Sequence, residues 1–314
     1  MLSPDTENHA TPNSGGTDAR ARITAIRAEV MPLSPTFHAA FMEWFSRIAQ
    51  DSLTEQDSQR ILNAVADELQ RLEDERAEGR MNDFAVANGH ISIRALLTGM
   101  AQQSDVTRQT KVEIQRILAD RLSINLLDVP GYRITHDWFH FHEDHWRKHF
   151  GYFSGRPNLR FLEIGSFEGR SACWMLSELL TAPGCQLICV DTFDLHPGQE
   201  SNFDHNIHAV SSNATVLKLR GRSQQVLHHI EEQSIDFIYV DGSHSALDII
   251  ADAAAAWRLA RTGAVLVFDD YANDVLPDSF AMPCKVATDA FLAMIEGRYE
   301  LIFKDWQVAI SKRI

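Results

Sequence analysis

Three aspartates lie at the ends of two apolar segments in the second half of the chain. Asp241 follows Ile238–Val240, and Asp269 and Asp270 follow Val267–Phe268. If these segments are adjacent parallel strands, about 4.8 Å apart, the three carboxylates converge. Such carboxylates repel one another unless a cation or protons intervene, and oxygen ligands suit Mg²⁺, or Ca²⁺ or Mn²⁺. The pattern predicts a magnesium site. The alternative is that Asp269 caps its strand, Asp270 is exposed and no metal binds.

A histidine follows the first of these carboxylates by three residues. His244 therefore lies just beyond the predicted metal position. Its reference pKa, near 6.5, allows the neutral imidazole to accept a proton from a hydroxyl group at about neutral pH. We predict that Asp241 and His244 are catalytic, with His244 as the general base. The alternative is that Ser243 or His244 caps the following helix by bonding its free N–H groups near Ala246.

A glycine-containing turn follows another predicted buried strand, Arg160–Ile164. Gly165 and Gly169 allow the backbone to pass close to a ligand. The dinucleotide pattern G-x-G-x-x-G is not met, because Phe167 occupies its middle position, and the P-loop pattern is not met either. Glu163 beside the turn would repel a pyrophosphate but attract an ammonium group. The turn therefore favours a cationic ligand, such as the amino acid part of S-adenosylmethionine.

Polar residues also follow two further apolar segments. Asp191 ends Gln186–Val190, where a carboxylate can accept both ribose hydroxyls of an adenosine. Ser223 and Gln224 come just after Thr215–Leu219, where they can hydrogen-bond the edge of an adenine ring. The alternatives are a solvated acid at Asp191 and a helix cap at Ser223. Three such elements in this order along the chain indicate a cofactor site more specifically than any one of them does.

These motifs resemble those of class I S-adenosylmethionine-dependent methyltransferases. The resemblance covers residues 158 to 312, about half of the chain. It is greatest to the catechol O-methyltransferase-like branch and to a small bacterial family found among natural-product tailoring enzymes. The similar segments are Phe161–Ser171, Val190–Phe193, Gly221–Gln224, Tyr239–His244 and Phe268–Tyr271.

The resemblance implies O-methylation of a small-molecule hydroxyl, with S-adenosylmethionine and a divalent cation. It implies metal ligands at Asp241, Asp269 and Asp270, and it places His244 where catechol-type enzymes have a lysine base. N-methylation, a peptide or carrier-bound acceptor, and a regulatory module that binds the cofactor without turnover are the alternatives. Phe193 is a candidate to pack on adenine, because Ser243 replaces the expected tryptophan. The residues predicted to contact the cofactor are Glu163, Gly165, Ser166, Gly169, Ser171, Asp191, Thr192, Phe193, Ser223, Gln224 and Asp241.

The elements that must position these residues form an α/β pattern in residues 131–314. Five short apolar segments without polar alternation indicate strands covered on both faces, and therefore a mostly parallel sheet. Tyr299–Lys304 and Gln307–Ser311 predict an antiparallel hairpin at the sheet edge. We therefore predict a Rossmann-like, seven-stranded class I methyltransferase sheet. The intervening helices are predicted at Gly169–Leu180, Ser223–Glu232 and Ala246–Arg261.

The first half of the chain has a different character. Residues 1–20 are predicted to form a disordered tail, and residues 21–130 a helical accessory domain that joins the second domain near Pro130. A capping box at Thr54 begins one amphipathic helix, which ends near Gly79, and Val106–Leu122 forms another. The helical domain is expected to cover the acceptor pocket, form a homo-oligomer or recognise a larger substrate.

One segment of this sequence is rich in histidine and aromatic residues. Residues 136–149 contain five histidines in fourteen positions. The segment could bind a transition metal, form an aromatic wall beside the cofactor or substrate, or pack as an ordinary helix.

Composition limits the classes of partner. The 314 residues are 45% hydrophobic and 23% charged, as in a globular protein, and 29 basic against 43 acidic residues give a formal net charge of -14. This acidic balance disfavours nucleic acid as a partner. No apolar run approaches the roughly 20 residues of a membrane span, and the chain's start is unlike a secretory signal. Four cysteines match no disulfide or zinc pattern, so we expect a cytoplasmic location. The small-molecule acceptor is what the resemblance implies.

Overall fold

A single mixed sheet organises the second half of the chain in the computed structural model, which describes residues 15–122, 125–273 and 282–313. Its strand order is β3-β2-β1-β4-β5-β7-β6, parallel except for β7, which is antiparallel to both of its neighbours. This confirms the predicted α/β sheet of seven strands and its hairpin edge. The strands are β1 Arg160–Ile164, β2 Gln186–Asp191, β3 Thr215–Arg220, β4 Ile235–Val240, β5 Ala260–Phe268, β6 Tyr299–Lys304 and β7 Val308–Lys312.

Helices cover both faces of the sheet and form the first part of the chain. Apolar residues of β1, β2, β4 and β5 alternate between two buried cores, one on each face of the sheet. The described α-helices are α1 Gly15–Val30, α2 Pro35–Ala49, α3 Glu55–Ala77, α4 Asp83–Gln102, α5 Arg108–Asp120, α6 Glu143–Phe150, α7 Arg170–Trp174, α8 Gln199–Ala209, α9 Ser223–Val226, α10 Ala246–Leu259 and α11 Met282–Met294. None of them combines the length and apolar character needed to span a bilayer.

The helical part has a core of its own. Its largest apolar cluster contains only residues between Leu33 and Leu122. The capping box at Thr54 is present, because Thr54 accepts from the backbone of Asp57 and the Asp57 side chain accepts from the backbone of Thr54. The division of the chain near residue 130 and oligomer formation through this part stay predictions.

Two predicted segments differ from the structure. Helix α1 begins at Gly15, inside the segment expected to be disordered, while residues 1–14 lie outside the described residues. Tertiary contacts explain the difference, since Ile26 packs on Trp306 in a small buried cluster. The predicted helix Gly169–Leu180 is α7 followed by one π-helical turn, Met175–Leu179.

Polar contacts hold α1 against the second half of the chain. The Arg22 guanidinium donates to the Phe141 carbonyl at 3.0 Å, lies 2.6 Å from His142 Nδ1 and pairs with Asp305 at 3.3 Å. At the C-terminal end of α1, Glu29 Oε2 lies 2.7 Å from His140 Nε2. The middle and the C-terminal end of α1 are therefore attached to residues beyond 136.

The Glu29–His140 pair predicts a pH-dependent stability. Burial opposes protonation of His140, but hydrogen bonds to Asp137 and Glu29 outweigh it and raise the pKa of His140 to about 9. A raised folded-state pKa contributes stability that is fully present below about pH 6.5, the unfolded value, and is lost as pH rises through about 9. In denaturant unfolding, Glu29→Gln should therefore destabilise the chain most below pH 6.5 and least above pH 9. Glu43→Gln, at an exposed position of α2, is the control. A Glu29→Gln effect that does not change with pH would contradict this assignment.

Candidate active site

A close approach of two strand ends builds the centre of the site. Gly165 has φ +90°, and a Cβ there would lie 1.9 Å from the Asp241 carbonyl oxygen. Backbone hydrogen bonds enforce this approach, because Gly165 N donates to Val190 O at 2.8 Å and Asp241 N donates to Ile164 O at 2.8 Å. Only glycine allows the ends of β1, β2 and β4 to meet here.

Three predicted cofactor residues lie beneath this turn. Glu163, Ser166 and Ser171 are buried, and Ser171 Oγ donates a short hydrogen bond to Glu163. Burial raises the pKa of Glu163 to about 7. Gly169, with φ +80°, precedes α7, and a Cβ there would lie 3.0 Å from the Phe203 ring. These four residues therefore support the turn from the protein interior.

Asp191 connects the turn to the loop after β2. Its carboxylate accepts from Phe167 N at 2.8 Å, from Phe193 N at 2.6 Å and from Gln199 Nε2 at 3.1 Å. Burial raises the pKa of this carboxyl above its usual value, despite these donors. The Phe193 ring lies in the core, 5.0 Å from the Phe203 ring. The side chain proposed to pack on adenine is therefore directed away from the site.

One cavity of about 690 Å³ opens at the carboxyl ends of the strands. It brings together nine of the predicted site residues, from the cofactor motifs and the acidic cluster alike. The five remaining predicted residues, Glu163, Ser166, Gly169, Ser171 and Phe193, do not line it. Those that line it are Gly165, Asp191, Thr192, Ser223, Gln224, Asp241, His244, Asp269 and Asp270.

The acidic cluster lines this cavity where β4 and β5 end. His244 Nε2 is 2.8 Å from Asp270 Oδ2, and the His244 side chain is 45% exposed. The negative charge of Asp270 raises the pKa of His244. Burial raises the pKa of Asp269 to about 7, and burial and then the charges of Asp269 and Asp270 raise the pKa of Asp241 well above its usual range. Three carboxyls and one imidazole thus share a partly enclosed volume.

The predicted ligands are not equally placed for a cation. Ligand atoms of Asp241, His244 and Asp270 lie within 4.8 Å of one another, the one such group among the described residues. Asp269 instead accepts a short hydrogen bond from the Tyr239 hydroxyl and another, at 2.7 Å, from Asp270 N. The third residue beside Asp241 and Asp270 is therefore His244, whereas the sequence pattern predicted Asp269.

Two histidines of residues 136–149, His136 and His145, contact different groups. His136 stacks on Trp138 with ring centroids 5.1 Å apart, and His145 Nε2 lies 3.2 Å from Asp305. Within the described residues, this segment contributes no histidine to a potential metal-binding group. Trp138 and Phe141 line the cavity, as the aromatic-wall alternative requires.

Sequence reasoning missed the cavity residues contributed by α1 and α4. Met31, Asn88 and Ile91 line the same cavity as the acidic cluster. Asn88 Oδ1 accepts from Trp138 Nε1 at 2.7 Å, so α4 is attached to the histidine-rich segment. No motif marks these residues. A weak signal was available at Asn88 alone, since it is a polar residue among the apolar positions of its helix.

A family model and a curated relative are similar to parts of this chain. Residues 162–271 match the family model described as a methyltransferase domain. An uncharacterized protein of Acanthamoeba polyphaga mimivirus is 27% identical over 125 residues, which are 37% of this chain and 53% of that protein. The chain therefore spans about half the length of the curated relative that it matches.

Several solved structures are similar at lower identity. An O-methyltransferase from Bacillus cereus, in complex with SAH, is 17% identical, with 69% of this chain and 97% of that chain covered and a TM-score of 0.43. A Corynebacterium glutamicum protein is 21% identical, with 56% and 82% covered and a TM-score of 0.43. The O-methyltransferase TomG from Streptomyces achromogenes, involved in tomaymycin synthesis and in complex with SAM, is 21% identical, with 49% and 73% covered and a TM-score of 0.39.

The residues matched by the family model form most of the sheet. The matched residues run from β1 through β5 and contain the glycine turn, Asp191, Ser223 and the acidic cluster. The parallel strands with an antiparallel hairpin edge form the sheet that the sequence motifs imply. Residues 162–271 therefore match a methyltransferase domain, and they lie on a sheet of the Rossmann-like methyltransferase fold.

Proposed function

We propose that this domain transfers a methyl group from S-adenosylmethionine to a hydroxyl oxygen of a small molecule. The observation that supports this most directly is the single cavity that connects the turn at Gly165 with the cluster of Asp241, His244 and Asp270. Methyl transfer needs an acceptor oxygen in line with the donor's sulfur and a group that removes the hydroxyl proton. A shared cavity satisfies both needs.

The cofactor occupies the end of the cavity near Asp191 in this proposal. Asp191 faces the ribose hydroxyls, and Ser223 and Gln224, at the start of α9, face adenine. Glu163 acts from below the turn, since it is buried and does not line the cavity. Its role is to hold Ser171, and so the start of α7, in place.

The residues at the other end fit a hard divalent cation. Asp241 and Asp270 supply oxygen ligands, with Asp269 or His244 as the third ligand. Mutual repulsion of the three carboxyls is what a cation would relieve. A bound Mg²⁺ would lower the pKa of a hydroxyl that it coordinates.

His244 is the proposed base. Its side chain is exposed to the cavity, and Asp270, 2.8 Å from Nε2, orients the ring. Asn273 Nδ2 donates to Asp270 Oδ1 at 2.9 Å and holds that carboxylate in turn. A nitrogen that binds a cation cannot also accept a proton, so the two roles differ in their effect on metal content. If His244 is the base, His244→Ala leaves Mg²⁺ binding intact, whereas if His244 is a ligand, Mg²⁺ binding is lost.

Asp191→Asn should weaken cofactor binding. The carboxylate accepts two backbone N–H groups that hold the turn and the loop after β2, and an amide NH₂ cannot accept at both positions. A hydrogen bond to a charged group contributes about 1.5–3 kcal/mol, so the Kd for S-adenosylhomocysteine should rise roughly tenfold or more in calorimetry. Asp204→Asn, which alters an exposed pair with Lys218, should leave the Kd unchanged. Equal affinity in the two variants would contradict the assignment of Asp191.

Methyl transfer to a panel of hydroxylated small molecules tests the proposal as a whole. We expect S-adenosylhomocysteine to bind in calorimetry and at least one hydroxylated compound to be methylated. Exhaustive chelation should lower the turnover at least about tenfold, and added Mg²⁺ should restore it. Full turnover after chelation would remove the cation from the reaction. Cofactor binding without turnover on any acceptor would instead support a regulatory module, and transfer to amines alone would support N-methylation.

A further inference from the structure

The two sides of the cavity differ in charge. Within the described lining, the side formed by the strand ends and α10 carries seven aspartates and two basic residues, Arg222 and His244. The opposite side comes from the end of α1, from α4 and from residues 138 and 141, and it carries no ionisable group. Its apolar members are Val30, Met31, Ile91, Trp138 and Phe141, which we call the helical wall.

The two polar side chains beside this wall are already bonded within the protein. Asn88, which is buried, donates to the Glu29 carbonyl at 2.9 Å and accepts from Trp138 Nε1 at 2.7 Å. Ser92 Oγ donates to the Asn88 carbonyl at 3.1 Å. The hydrogen bonds of Asn88 hold the wall together, and a ligand here meets mainly apolar surface.

The aspartates on the other side of the cavity further restrict which acceptors can bind. The methyl donor carries a sulfonium and an ammonium group, which suit the carboxylates at its end of the cavity. Asp241, Asp269 and Asp270 face the remaining space, on the side of the cavity where aspartates outnumber the basic residues Arg222 and His244. An acceptor with a phosphate, sulfate or carboxylate group would be repelled there.

We propose that the helical wall selects the acceptor, and that the acceptor is an uncharged and largely apolar molecule whose hydroxyl points to Asp270 and His244. The inference rests on the proposed function, because it assumes that the other end of the cavity holds the cofactor. It assigns Met31, Ile91 and Phe141 as the residues that contact the apolar part of the acceptor. The helical part of the chain, which lies outside the matched methyltransferase residues, then determines the substrate range.

Two probes with one ring system test the charge preference without knowledge of the acceptor. N-phenyl-1-naphthylamine is uncharged, and 1-anilinonaphthalene-8-sulfonate adds one sulfonate to the same rings. With the full chain and saturating S-adenosylhomocysteine, the uncharged probe should bind at least tenfold more tightly in a fluorescence titration. Equal affinities, tighter binding of the sulfonate, or no binding of the uncharged probe would overturn the proposal.

Two variants of one wall residue test the location. Ile91→Trp fills the space beside the wall, and Ile91→Asp places a charge on it, so each should raise the Kd of the uncharged probe at least tenfold. Thr98→Asp adds the same charge at an exposed position of α4 and should leave that Kd unchanged. An unchanged Kd in both Ile91 variants would overturn the proposal. If neither variant folds, the comparison of the two probes on the unaltered chain still decides.

Calorimetry with S-adenosylhomocysteine separates this inference from the proposed function. Both Ile91 variants should bind S-adenosylhomocysteine as the unaltered chain does, because Ile91 belongs to α4 and to none of the cofactor motifs. Absence of S-adenosylhomocysteine binding by the unaltered chain would contradict the proposed function. The probe titrations report on the helical wall in either case.

Discussion

Gly165→Ala is expected to destabilise the chain by more than about 4 kcal/mol, or to prevent folding. A Cβ at this position would lie 1.9 Å from the carbonyl oxygen of Asp241 and 2.7 Å from the Cα of Gly242, and both of these are backbone atoms. Relief of this clash requires the ends of β1 and β4 to separate, which breaks the hydrogen bond from Asp241 N to Ile164 O. The measurement is the free energy of unfolding in denaturant.

A second glycine separates the clash from backbone strain. Gly263 has φ +83°, close to that of Gly165, but a Cβ there would meet no atom within 4 Å. Gly263→Ala should therefore show only the strain of a left-handed residue, about 1–2 kcal/mol. Equal destabilisation by the two substitutions would show that the approach of β1 to Asp241 is not what requires glycine.

His244→Ala is expected to lower turnover by roughly 10²–10⁴ and to leave the affinity for S-adenosylhomocysteine unchanged. The imidazole lies at the acidic end of the cavity and pairs with Asp270, whereas the cofactor motifs lie around Gly165 and Asp191. The measurement is methyl transfer to whichever hydroxylated compound of the panel is a substrate, together with calorimetry.

Controls distinguish a role in catalysis from a general loss of structure. His205→Ala removes an exposed histidine on α8, outside the cavity, and should leave turnover unchanged. His244→Ala should also unfold at the same denaturant concentration as the unaltered chain, since the His244 side chain is half-exposed. Turnover of His244→Ala within twofold of the unaltered chain would exclude His244 as the base.

The sheet and its strand-end residues were predictable because both depend on local patterns. Strands such as Arg160–Ile164 are short and mainly apolar, and parallel strands that pack on both faces need such segments. Gly165 and Asp241 were predictable as site residues because each follows a strand directly. Their contact with each other could not be inferred, because it depends on β1 lying next to β4 rather than on either segment alone.

The acidic cluster was likewise predictable from the sequence only in part. That Asp241, Asp269 and Asp270 lie together follows from their positions at the ends of β4 and β5. Which of them faces a cation depends on hydrogen bonds from other elements. Tyr239 and the backbone of Asp270 bond Asp269, and His244 turns toward Asp270 instead.

The helical part is where the sequence determined least about function. Periodicity and caps determined that its segments are helices, as at Thr54, because helix formation depends on residues close together in the chain. That Met31 and Ile91 face the same cavity as His244 was decided only by the tertiary structure. The attachment of α1 through Arg22 and Glu29 joins residues more than a hundred positions apart, and a single sequence carries no local pattern for such pairs. The sequence by itself therefore determined the methyltransferase sheet and its strand-end chemistry, and the long-range contacts of α1 and α4 decided what closes the cavity above it.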